Sequence, residues 1–194
     1  MAAGARSGAH DRTERRHDMI TDDFGLDLDV HGSGLINATI RQSGQELRFR
    51  VTFISDALID LADATVAIAG ETGQPLKQSF VWANEPDYWR WDLTREDNNH
   101  VTVAIAFVTE CEKHEDDSGS LQFDNRGTLR FEAHVSTRVL VATVLTALDT
   151  VPRTFGAAEF DVDWDPSQIG VPRHFPYVDY VRLREMFLRA GTAQ

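Results

Sequence analysis

The chain has 194 residues, enough for one domain with a closed core, and its 42% hydrophobic content, with eleven Phe, excludes a wholly disordered protein. A formal net charge of −12 sets the field of the whole molecule against nucleic acid and anionic membranes and in favour of a basic partner. No apolar run approaches the ~20 residues that span a bilayer, and a single Cys excludes an internal disulfide, so a soluble, cytoplasmic protein is expected.

Residues 1–22 are rich in Arg and acids and nearly devoid of apolar side chains, so this segment is expected to be disordered, ahead of a single domain over 23–194. Met19 offers a second start, and no apolar stretch follows the early arginines as a signal peptide requires. Gly32-Ser33-Gly34 then leads into a predicted hairpin: a strand from Leu35 to Arg41, a turn at Ser43-Gly44-Gln45, and a return from Glu46 to Ile54. In the return, Leu47, Phe49, Val51 and Phe53 alternate with Arg48, Arg50 and Thr52, the period of a strand with one buried face. The Gly-Ser-Gly is no dinucleotide fingerprint, because Asn37 stands where the third Gly belongs, within a strand.

Ser55-Asp56 supplies an N-cap hydroxyl and a carboxylate at the positive end of a helix dipole, predicting a helix over 55–69 that stops at Gly70. Ala57, Leu61, Ala64 and Ile68 share its apolar face; Asp56, Asp60 and Asp63 share another, the ordinary solvated side of a surface helix.

The central stretch, Phe80 to Val108, joins apolar runs through Glu85-Pro86-Asp87 and Glu96-Asp97-Asn98-Asn99, the turn chemistry of an antiparallel meander. Trp89, Trp91 and Leu93 point one way and Tyr88, Arg90 and Asp92 the other. From His100 onward, Val101, Val103, Ile105 and Phe107 share a face while Thr102, Ala104, Ala106 and Val108 share the other, which predicts an interior strand. Trp82, Trp89 and Trp91 either pack the core or wall a small-ligand pocket.

The acidic run that follows contains Glu110, Cys111, Glu112, His114, Glu115, Asp116 and Asp117. Cys111 and His114 are spaced to reach one metal ion, but the second ligand pair of a zinc site is missing, and a solvated loop is the plainer reading. Another strand is predicted from Thr128 to Ala133, with Leu129 and Phe131 on one face. Ser136 then caps an almost wholly apolar helix, 136–149, that Pro152 ends. Asp161, Asp163 and Asp165 would line one side of an extended segment and could hold Mg²⁺ or Ca²⁺, although Pro166 occupies the position where a calcium loop needs Gly. His174-Phe175-Pro176 precedes a C-terminal helix from Tyr177 to Ala190, with Tyr180, Leu183, Phe187 and Ala190 buried and Arg182, Glu185 and Arg189 wet.

Three strings together resemble a family of small acidic bacterial α+β proteins of unknown function. They are Ile54-Ser55-Asp56-Ala57-Leu58 opening a helix, Glu85-Pro86-Asp87-Tyr88-Trp89-Arg90-Trp91, and His174-Phe175-Pro176 before a closing helix. The resemblance spans about residues 30 to 190 and departs over Pro152 to Pro172, which is longer and more acidic. It implies architecture alone: a hairpin, a helix, a strand meander, a second helix and a C-terminal helix. No functional residue carries over.

The fold expected is α+β: one antiparallel sheet of about six to seven strands, two helices on one face and the C-terminal helix at its end. Three functions are consistent with these residues. The first is a non-enzymatic protein-binding module, an immunity-type inhibitor or accessory subunit, presenting Asp56, Asp60, Asp63, Glu112, Glu115, Asp116 and Asp117 to a basic protein without any cofactor. The second is a divalent-metal hydrolase built on the Asp161, Asp163, Asp165 or Glu110, Cys111, His114 cluster. The third is the Trp82, Trp89, Trp91 ligand pocket. No nucleic acid or membrane partner is expected.

Overall fold

A computed structural model describes residues 23–31, 35–52, 57–70, 76–97, 99–109, 113–115, 121–123, 127–155 and 175–192. Twelve elements follow in chain order: β1 Gly25–Val30, β2 Ile36–Gln42, β3 Gln45–Val51, α1 Ala57–Ala69, β4 Lys77–Asn84, β5 Asp87–Arg95, β6 His100–Val108, β7 Lys113–Glu115, β8 Leu121–Phe123, β9 Thr128–Ser136, α2 Thr137–Phe155 and α3 Tyr177–Thr192. The class is α+β as expected, but the single sheet of six to seven strands is corrected. The strands divide into a three-stranded sheet ordered β1-β2-β3, a four-stranded sheet ordered β4-β5-β6-β9, and a short β7-β8 pair, all antiparallel.

The three-stranded sheet begins with a strand that the pattern analysis did not assign. In β1, Leu26, Leu28 and Val30 are buried and Asp27 and Asp29 exposed, a period of two. The β2–β3 turn places Ser43 and Gly44 both at positive φ, 51° and 79°, which matches the twist of a two-residue hairpin and favours Gly at the second position. On the solvated side Arg41 bridges strands, donating from Nε to Glu46 at 2.8 Å and from Nη1 to Asp27, while Arg48 donates to Glu46 at 2.6 Å. Arg48, then Arg41, hold the Glu46 carboxyl below its ordinary 4.5. A depressed folded value means that this ladder stabilises the fold above pH 4.5 and is lost as the pH falls through the lowered value. The expected result for Glu46→Gln is a Tm deficit at neutral pH that closes towards zero in strong acid; a deficit constant from neutral to acid would refute the assignment.

β3 spans the second sheet from one edge strand to the other. β3 itself contacts both β9 and β4. Before its start, Gln42 at the end of β2 donates from Nε2 to the His134 carbonyl of β9 at 3.2 Å, and just past its end the Thr52 N–H donates to the Ala83 carbonyl of β4 at 2.8 Å. Phe49, between these points, enters the aromatic layer of β4 and β5. β6 lies between β5 and β9, as its two apolar faces predict. One expectation for β9 is corrected: Leu129 and Phe131 do not share a face. Ile105 pairs with Phe131 while Ala106 pairs with Leu129, so Arg130 is the extra residue of a bulge. Phe131 goes to the core and Leu129 to solvent.

α1 buries Ala57, Leu61, Ala64 and Ile68, the predicted stripe, against β4 and β5. Ser136 caps α2 as expected, its Oγ accepting from the Val139 N–H at 3.2 Å. The stop at Pro152 is corrected, because the helix continues to Phe155. Proline removes one backbone donor near the end of the helix, and burial of Val151 holds that turn in place. α3 does not sit at the end of a sheet. It packs on α1 and α2, so the three helices form one group with Leu183 buried in it. Phe24, Leu26, Leu28 and Val30, the α1 and α2 stripes and the inner sheet faces make one hydrophobic core. The expected disordered segment 1–22 lies outside the described residues.

Candidate functional site

Of the carboxylates expected to meet a partner, the described residues place Asp60, half-buried, and Asp63, exposed, on α1. Glu115 and His114 stand in β7, correcting the expectation of a loop there, and only their backbone is described. Asp56, Cys111, Glu112, Asp116, Asp117, Asp161, Asp163 and Asp165 lie outside the described residues, as does Glu110. Among the described residues no three His, Cys, Asp or Glu side chains are grouped to hold a metal ion, and no helix is long and apolar enough to cross a membrane.

The tryptophans form a ring cluster. Trp82 and Trp91 lie 4.8 Å apart between centroids, Trp91 stacks on Phe80 at 5.6 Å, and Phe49 meets Trp89 at 4.7 Å. A pocket walled by the three indoles required them to be partly exposed. Trp82 and Trp91 are buried core rings, and only Trp89 is half-buried. Among the described residues their indole N–H groups have no conventional acceptor.

A polar cluster that spacing did not reveal closes the β5–β6 turn onto β9. Thr102 Oγ1 donates to Glu96, and His134 Nδ1 lies 3.0 Å from Thr102 Oγ1 and 3.1 Å from Glu96 Oε1. Beside it, Asp97 accepts from the Asn99 and His100 N–H groups at 2.7 and 2.8 Å, and meets His100 Nδ1 at 2.8 Å. The imidazole bond, then the Asn99 N–H, holds the Asp97 carboxyl below its ordinary range. Hydroxyl, imidazole and carboxylate resemble a nucleophile set, but Thr102 and Glu96 converge on the same nitrogen, Nδ1, and Glu132 Oε1, on the Nε2 side, is 3.9 Å away, too far for a hydrogen bond. A relay needs them on opposite ring nitrogens. The cluster is a clamp between strands, and no sequence signal joins residues 32 to 38 positions apart.

The remaining feature is on α3. Among the described residues the exposed large hydrophobics are Leu129 and four on this helix: Tyr177 (44%), Val178 (65%), Val181 (51%) and Leu188 (60%). The predicted wet face, Arg182, Glu185 and Arg189, is exposed as expected, with Arg189 3.4 Å from Glu185. What that reading missed is the apolar content beside it, for which Val181 and Leu188, seven residues apart, are the signal. Between α3 and α2 runs a groove of about 490 Å³ whose sides include Leu145, Asp149, Arg184 and Leu188.

These features define an α+β protein of two antiparallel sheets, a short strand pair and three helices among the described residues. Protein-family models, characterised proteins and solved structures were all compared with the chain, and none matches.

Proposed function

We propose that the protein is a non-enzymatic protein-binding module, an immunity-type inhibitor or accessory subunit, whose acidic surface docks a basic partner. The observation that carries this reading is the formal net charge of −12 on one small domain. The fold supports it by leaving Asp63 exposed on α1 and Asp27 and Asp29 exposed on β1, the outer strand of its sheet. Complementary charge speeds encounter and rejects wrong partners, and salt screens both effects.

The test is affinity capture by the full chain from lysate of its own cells at low and high salt, read by mass spectrometry. One basic protein held at low salt and released at high salt is the expected result. Asp63→Lys should weaken that capture by slowing association. Absence of any partner at either salt rejects the reading.

A further inference from the structure

A cavity of about 380 Å³ lies where the start of α2 meets α3, the end of α1 and the β5–β6 turn. That volume is at the small end of the ~300–1,000 Å³ range of small-molecule sites. Its walls divide by chemistry: Val141, Met186 and Phe187 give an apolar side, and Asn99, Thr137 and Arg138 a polar one.

The polar side holds donors without acceptors. α2 is 19 residues long and has no acidic side chain in its first turn, where the helix dipole favours negative charge. Of its first N–H groups, that of Thr137 donates to the Asn99 carbonyl at 2.7 Å and that of Val139 to Ser136 Oγ at 3.2 Å. Among the described residues the Arg138 N–H between them has no acceptor, and the Arg138 side chain makes no ion pair. Its guanidinium carbon lies 5.6 Å from the centre of the Phe187 ring, which seats the cation at the boundary of the two sides. The Thr137 hydroxyl is an independent sign: Oγ1 is buried and has no hydrogen-bond partner, whereas buried polar atoms of folded proteins are paired as a rule. Asp97, the carboxylate nearest to Asn99 in sequence, is already engaged by the Asn99 and His100 N–H groups and the His100 imidazole.

We propose that this cavity binds a small monocarboxylate with an apolar body. The carboxylate accepts from the Arg138 N–H and guanidinium, with the Thr137 hydroxyl as a further donor, and the body lies on Val141, Met186 and Phe187. Charge fixes the class. One guanidinium matches one negative charge, and a dianion would meet the opposing field of a chain at −12 more strongly. An uncharged apolar molecule would leave Arg138 and Thr137 without acceptors, and a bare anion would leave the apolar side wet. The site is distinct from Asp63, Asp27 and Asp29, so it stands whether or not the acidic surface has a partner.

The probe is hydrocinnamate, a carboxylate on a short phenylalkyl body, titrated into the full isotope-labelled chain and followed by NMR. Saturable shifts of the Thr137 and Arg138 N–H signals and of the Met186 methyl are expected. Hydrocinnamamide, equal in shape but uncharged, and acetate, which lacks the ring, should each bind at least about tenfold more weakly. Arg138→Gln should weaken hydrocinnamate by about tenfold, whereas Arg182→Gln, on the exposed side of α3, should leave it unchanged. Arg138 is exposed, so circular dichroism of its variant should match the parent. Absence of saturable shifts up to about 10 mM hydrocinnamate overturns the proposal. So does an amide that binds as tightly as the carboxylate, or an Arg138→Gln variant that binds hydrocinnamate as the parent does.

Discussion

Replacing Trp91 with alanine is expected to lower stability by about 3–5 kcal/mol, the cost of emptying a large buried aromatic site. Trp91 sits on the inner face of β5 at 1% exposure. It stacks on Phe80 of β4, meets Trp82 at 4.8 Å and reaches Phe49 of β3 at 6.2 Å. It therefore touches both sheets, and its loss opens a void where β3 crosses the four-stranded sheet. Ring neighbours on several sides cannot collapse into the space without moving a strand, which puts the cost towards the upper part of that range. Trp89→Ala is the control. Trp89 is half-buried at the margin of the same cluster, between Phe49 and Phe107, and its loss should cost distinctly less. Urea unfolding of the two variants decides the matter. Equal losses would mean that the rings do not form the layered core described here.

Arg95→Met is the second large effect, at about 2–4 kcal/mol, with most of it from acceptors left without a charged donor. Arg95 is buried at the end of β5, and its guanidinium donates to the carbonyls of Ile68 and Gly70. These are among the last acceptors of α1, which has no basic side chain of its own in its final turn. A helix C-terminus carries partial negative charge and unpaired carbonyls, so the guanidinium satisfies both at once. The Arg95 N–H also donates to the Leu76 carbonyl at 2.9 Å, which secures the segment entering β4. Met fills similar volume without a donor, so it isolates the hydrogen bonds from the packing. Amide exchange should speed first in the last turn of α1, ahead of the β6 core. Slow exchange there in the variant would show that the capping contact is dispensable. Arg95→Lys keeps the charge but not the planar fork, and should fall between the parent and Arg95→Met.

Arg95 also shows where sequence reading runs out. It continues the alternation of Trp89, Trp91 and Leu93 onto the buried face, yet an isolated Arg is expected to face water. Its partners are 25 and 27 residues earlier in the chain, so burial became favourable only once the end of α1 was laid over β5. β1 was missed for a related reason. Its six residues alternate cleanly, but they lie among Gly and Asp typical of loops, and their stability comes from β2 and α2. On α3, periodicity identified the wet residues Arg182, Glu185 and Arg189, and of the expected buried stripe Leu183 is buried while Tyr180 and Phe187 are half-buried. Whether Val181 and Leu188 were covered depended on where α1 and α2 packed.

The sequence by itself determined the α+β class, the β2–β3 hairpin (its turn being Ser43-Gly44, with Gln45, expected in the turn, already in β3), the β5 and β6 face assignments, the stripe of α1 and the Ser136 cap. Each of these rests on interactions within a few residues or on the period of one element. Only the tertiary structure decided that the strands form two sheets, that β3 crosses the second, that Arg130 bulges and sends Leu129 outward, that Arg95 caps α1, and that α3 keeps an apolar side in solvent. Periodicity states which side of an element seeks burial. It carries no information about which distant element provides the cover, because that choice is made by the summed packing of the whole chain.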